Sequence, residues 1–248
     1  MTAEADYLLR IADDHLILGQ RVAEWCGRSP TLEEELSFAN VALDLLGQSR
    51  VLFARVAEMR GDTNEDELAF KRYEHEYLNV KLVEQPNEDF AHAVVRQLLF
   101  SGFMLPFWRE AQESMDQTLA AAAGQAVKES TYHVRHAREW VLRLGDGTEA
   151  SHERTQEAVD TLWPYRGELF EVDELVQRMM AAGVAPDPAG LRPEYDALMT
   201  QTFEEATLTL PEKDWSQTGG RRGIHSENLG HLLTDLQYMQ RTYPNMTW

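Results

Sequence analysis

Glu129, His133 and His136 fall at i, i+4 and i+7 of one long helical pattern, which projects all three from a single face. Carboxylate oxygen and imidazole nitrogen on a buried helix face are the donors with which helical bundles hold iron. A carboxylate-bridged pair of irons asks for a Glu-x-x-His on each of two helices and a Glu on each of two more. The chain does not supply that set. The helix reads Glu129-Ser-Thr-Tyr132, with Tyr at the required His position. His133 comes one residue late, which turns it by about 100° around the helix axis. Another helical pattern offers Asn40 and Asp44, with Leu43 where a His would be expected, and no acidic residue lies between Asp89 and Glu110. The N-terminal pattern offers Asp13 or Asp14, with His15 on its apolar stripe. The one literal Glu-x-x-His, Glu149-Ala-Ser-His152, follows a glycine turn, where it would cap a helix and complement its dipole.

The expectation for this face is a buried polar network drawn from Asp14, Asp44, Glu129, His133 and His136, with Arg50 and Arg135 as further partners. Such a network has to be fully satisfied, because an unpaired buried charge is costly. The sharper reading is a mononuclear site of two histidines and one carboxylate. Geometry disfavours it, since all three ligands would come from one helix rising about 1.5 Å per residue.

The elements that would position these residues are helices. Leu8, Ile11, His15, Leu18, Val22 and Trp25 recur at helical spacing and mark a first amphipathic helix ending at Gly27. Thr31 with Glu34 forms a capping box for a second helix, which carries Leu32, Leu36, Ala39, Leu43, Leu46, Arg50 and Phe53 inward and stops near Gly61. The pattern then predicts a charged helix from about Glu65 to Val83, and a very apolar one over Phe90 to Glu113 in which Pro106 should kink the chain or remove a backbone hydrogen bond. A fifth helix runs from about Thr118 to Leu144 and ends in the turn Gly145-Asp146-Gly147-Thr148. A sixth spans roughly Ser151 to Ala182, bent at Pro164, with Asp173 and Glu174 on a solvated face. Two shorter ones cover Glu194 to Leu208 and Ser226 to Arg241. No strand pattern, repeat or low-complexity tract appears, so the class is all-α, a helical bundle.

Charge narrows the function classes. Lys and Arg number 23 against 42 Asp and Glu, a net −19, which repels phosphate backbones and anionic membranes and leaves nucleic acid and membrane out as partners. Met1 to Arg10 carries Glu4 and Asp6 and lacks the basic start of a secretory signal. The charge-free apolar run Gln97 to Trp108 is short of the ~20 residues a membrane span needs, so the expected location is cytoplasmic. The single cysteine, Cys26, allows no internal disulfide and reads as a small buried hydrophobe beside Trp25. Trp108, Trp140 and Trp163 are expected in the core or an interface. Gly219-Gly-Arg-Arg-Gly223 is a basic glycine loop. Arg221 and Arg222 could hold a phosphate or dock on an acidic protein surface.

Several separated runs resemble one family. Leu43-Asp-Leu-Leu-Gly-Gln-Ser-Arg50, Leu82-Val-Glu-Gln-Pro-Asn-Glu-Asp-Phe90, Lys128-Glu-Ser-Thr-Tyr-His133 and Leu144-Gly-Asp-Gly-Thr148 are similar to the non-catalytic, PaaC-type subunits of bacterial ring-1,2-phenylacetyl-CoA epoxidases. So is Gly219-Gly-Arg-Arg-Gly-Ile-His225 with Leu229-Gly230 and Gln237, and the likeness extends from about Leu8 to Trp248. The resemblance implies one ferritin-like domain over 1–248, with a four-helix bundle core at about 4–145 and additional helices and tail at about 149–248. It implies a structural subunit without metal ligands of its own. Its partners would be a homologous catalytic subunit with the di-iron centre, further small subunits, and a reductase that passes electrons from NADPH through flavin and an iron–sulfur cluster. The complex would epoxidise the aromatic ring of phenylacetyl-CoA with O2, and this chain would meet the acyl-CoA at most indirectly, with Arg221 and Arg222 as the candidate contacts to the CoA phosphates or to a partner subunit. A self-sufficient metal oxygenase and a helical scaffold with another partner stand as alternatives.

Overall fold

Short polar side chains set the start of nearly every helix, because each accepts a hydrogen bond from an otherwise orphaned first-turn N–H. Thr2 starts α1 (Ala3–Ala23), Thr31 starts α2 (Leu32–Arg60) and Asn64 starts α3 (Glu65–Phe70). After a 3-10 turn at Glu74–Glu76 comes α4 (Lys81–Glu84). Asp89 caps α5 (Phe90–Ala111), Asp116 caps α6 (Gln117–Gly145) and Thr148 caps α7 (Glu149–Leu162). A 3-10 segment at Trp163–Phe170 leads to α8 (Glu174–Ala181) and α9 (Pro188–Glu205), and α10 (Glu227–Thr242) follows a 3-10 turn at Gly220–Arg222. The computed structural model describes residues 2–212, 215–244 and 246. Met1 and Trp248, the two ends of the expected domain, lie outside the described residues, as do Lys213, Asp214, Asn245 and Thr247. No strand occurs among the described residues, and the class is all-α and ferritin-like, as expected.

Two compact units organise these helices: residues 1–86 with 219–248, and residues 87–218. In the first, α1 lies along α2 around Leu8, Ile17, Leu18, Phe38, Leu45 and Leu52, all essentially inaccessible to solvent. In the second, α5 packs on α6, α7 and α9, with Trp108, Phe100, Tyr195 and Phe203 fully buried. Gly102 lets α9 approach, since a Cβ there would lie 2.6 Å from Met199 Cε.

Several local expectations change. The helix expected over Glu65–Val83 is three short pieces, because the N–H groups of Leu78 and Val80 go to buried carboxylates on α1. The helix expected over Ser151–Ala182 stops at Leu162: Pro164 sits in a 3-10 segment, and Asp173 caps α8 by accepting from Val176 N–H (3.0 Å). α9 begins before Glu194 because Pro188 occupies its first position, where the missing N–H costs nothing. Pro106 stands inside a continuous α5. That helix is 22 residues long and apolar enough to cross a membrane, but 94% of its most apolar window is buried, which makes it a core helix. Cys26 is exposed, since α1 ends at Ala23 and the residue falls past the stripe. On α2 the inward face is Phe38, Val41, Ala42, Leu45, Gln48, Ser49, Leu52, Phe53 and Val56, whereas Leu32, Leu36 and Leu43 point to solvent.

Candidate functional site

α1 is buried almost all round, including Asp13 and Asp14, which are 0% and 2% exposed. Two adjacent carboxylates in a core need donors, and the segment after α3 provides them by giving up helical geometry. Leu78 N–H donates to Asp13 Oδ2 (2.9 Å) and Val80 N–H to Asp14 Oδ1 (2.8 Å). Arg72 pairs with both oxygens of Asp13, and its guanidinium also donates to the Leu68 and Glu76 carbonyls and lies 4.1 Å from the Tyr77 ring centroid.

The glycine loop completes the arrangement. Arg221 grips Asp14 with both terminal nitrogens, Nη1 to Oδ1 at 3.1 Å and Nη2 to Oδ2 at 2.7 Å, and Nη1 also donates to the Arg10 and Leu78 carbonyls. The loop reaches that depth because its glycines lie against the 75–81 backbone. A Cβ on Gly220 would stand 2.1 Å from the Asn79 oxygen, and one on Gly223, at φ +73°, 2.2 Å from the His75 oxygen. His225 Nδ1 meets Glu84 Oε2 at 2.8 Å and its Nε2 meets the Tyr77 carbonyl at 2.8 Å. Both partners are acceptors, so the ring that satisfies both donates from both nitrogens and carries a positive charge. Glu84 also accepts from Asn79 Nδ2 (3.0 Å) and Ser226 N–H (2.6 Å). α10 is stitched to the same segment by Gln237, which donates to the Arg72 carbonyl and the Tyr77 hydroxyl, and by Arg21, which ties the carbonyls of Glu84 and Asn228.

Electrostatics follow from that geometry. Burial pushes the Asp14 carboxyl up to about 6, against the pull of Arg221 and of the Val80 N–H. Burial alone would depress His225, but the Glu84 carboxylate and the Tyr77 carbonyl outweigh it and raise its pKa above 6.5.

Each residue of the expected network has its place in one of the two units. Asp14 joins Arg221 within the first unit, and Asp44 lies half-buried on α2 of that unit. Glu129, His133 and His136 belong to the second unit. Glu129 is half-buried and accepts from Gln125 Nε2 (2.8 Å), while His133 and His136 are buried against Tyr132, whose ring stacks on His136 at 5.8 Å. Arg222 is exposed, and Arg221 is turned into the fold. This donor set does not fit a carboxylate-bridged iron pair, because both α1 carboxylates are occupied by guanidinium and backbone donors. Among the described residues no three His, Cys, Asp or Glu side chains converge into a group that could hold a metal ion. The Arg221 head group is taken up by Asp14 and two carbonyls, so it is not turned toward a phosphate.

Sequence reading misses the pairs Asp13–Arg72 and Glu84–His225. The available signal is a charged residue set among apolar or glycine neighbours, as Glu84 is after Leu82-Val83 and His225 is after Gly223-Ile224. Nothing in the spacing says which residue each one meets, and Glu84 and His225 stand 141 positions apart.

The whole chain, residues 1–248, matches the family described as "Phenylacetic acid catabolic protein". It is 42% identical over 242 residues, 98% of this chain and 98% of the relative, to a subunit of the 1,2-phenylacetyl-CoA epoxidase of Escherichia coli (strain K12). A match that runs end to end, at that identity, spans every run of sequence that builds the clasp, and the chain belongs to the phenylacetic acid catabolic protein family.

Proposed function

We propose that this chain is the structural subunit of a multicomponent phenylacetyl-CoA epoxidase in phenylacetate catabolism, acting in the cytoplasm, and that it performs no chemistry itself. The observation that carries this reading is the use made of the buried carboxylates. Asp13 and Asp14 stand on a core helix, in the kind of position from which a bundle enzyme would present ligands, and each is neutralised by an arginine. A metal would have to displace Arg72 or Arg221 and leave a buried guanidinium without its counter-charge. Similarity to an epoxidase subunit supports the rest of the reading, in which a homologous catalytic subunit holds the di-iron centre and a reductase delivers electrons from NADPH through flavin and iron–sulfur groups. This chain would support that catalytic subunit and keep it folded.

Iron content tests the reading. The chain purified alone, loaded anaerobically with ferrous ion and desalted, should retain close to no iron. One or two irons per chain would overturn the proposal and make Glu129, His133 and His136 the first ligands to replace.

A further inference from the structure

The outward face of α2 carries an apolar line that the fold leaves open. Leu32, Leu36, Leu43 and Val51 are 68%, 58%, 66% and 44% exposed, and the exposed Asn40, Gly47 and Ala54 stand between and beyond them at steps of three and four. One face of the helix is thus defined. Leu36 to Val51 covers about 22 Å at about 1.5 Å per residue. The only charged residue among the exposed positions in that span is Arg50, which is drawn aside to Glu65 at 3.1 Å. Leu36 and Leu43 repeat at seven, and so do Asn40, Gly47 and Ala54, which sets a row of large side chains beside a row of small ones. That relief accepts the side chains of another helix at close approach.

The same chain keeps the outward face of its other long hairpin helix polar. On α6 the exposed positions include Gln125, Lys128, Thr131, Arg135, Glu139 and Arg143. The apolar line on α2 is therefore a property of that face and not of the chain's surface in general, and such a patch marks an interaction site.

We propose that this face of α2 is the surface on which the chain docks, helix against helix, onto the catalytic subunit of its complex. The inference rests on the subunit reading above and names the surface that serves it. Charge selects the occupant. A second copy would set −19 against −19, whereas Glu33, Glu34 and Glu35 at the head of the apolar line fit a partner that brings Lys or Arg to that end.

The test mixes the full-length chain with the di-iron subunit of the same organism's epoxidase and reads complex mass by light scattering and affinity by titration. L36E/L43E should weaken association about 100-fold, while Lys128→Glu on α6 leaves it unchanged. The thermal midpoint of L36E/L43E should match wild type, because both leucines face solvent; were it to fall, the milder L36S/L43S replaces it. Undiminished binding by a folded variant overturns the α2 assignment. Failure of the wild-type chain to bind the di-iron subunit overturns the subunit reading, and the assignment with it. A wild-type homodimer broken by L36E/L43E would make a second copy the occupant and overturn the proposal.

Discussion

Asp14 and Arg221 carry the heaviest local constraint, because their two-pronged contact neutralises a charge placed next to Asp13 in the core. Arg221→Ala strands that carboxylate and should cost about 3–5 kcal/mol, read as a lower urea midpoint. Asp14→Asn in the same background removes the stranded charge and keeps an oxygen for Val80 N–H, so it should recover part of the loss. A double mutant no more stable than Arg221→Ala alone would show that the pair is not the cause. Arg221 is legible in the sequence as a notable basic residue, but its direction is not. Glycines beside arginine describe a phosphate cradle and a tightly packed clasp equally well, and the Asn79 and His75 carbonyls that press on Gly220 and Gly223 decide between them.

At the level of elements, periodicity locates the long helices well and misjudges what surrounds them. The α2 pattern holds two apolar faces, one through Phe38, Leu45 and Leu52 and one through Leu36, Leu43 and Val51. A sequence cannot say which of them meets its own core. Residues 72–80 look helical by composition, but the buried Asp13 and Asp14 take the amides of Leu78 and Val80, and a tertiary demand overrides local propensity. Glycine replacements separate propensity from packing. Gly124→Ala on α6 meets nothing within 4 Å and should stabilise by about 0.5–1 kcal/mol. Gly220→Ala drives a methyl into the Asn79 oxygen and should cost about 1–3 kcal/mol. Chemical unfolding of the two variants, each against wild type, checks both signs.

For the molecule as a whole, the clasp ties residues 219–248 to 1–86 and makes the first unit's stability depend on pH. Asp14 keeps its proton in the folded chain up to about pH 6, while the unfolded chain releases it near 3.8, so the native state holds more protons in that window and loses stability as pH rises through it. The His225 contribution is fully present below 6.5 and is lost as pH rises through its raised folded value. Wild type should lose more unfolding free energy between pH 6 and pH 9 than His225→Gln does; equal losses in urea titrations would remove His225 from the account. The all-α class, the helix starts, the departure from a di-iron ligand pattern and the family likeness all follow from the order of residues, because periodicity, capping residues and motif spacing are local and survive without a fold. Folding alone assigns Asp13 and Asp14 to Arg72 and Arg221, joins His225 to Glu84, and turns Leu36 and Leu43 outward. Those are pairings across long stretches of chain, and they depend on which side of each helix the core comes to occupy.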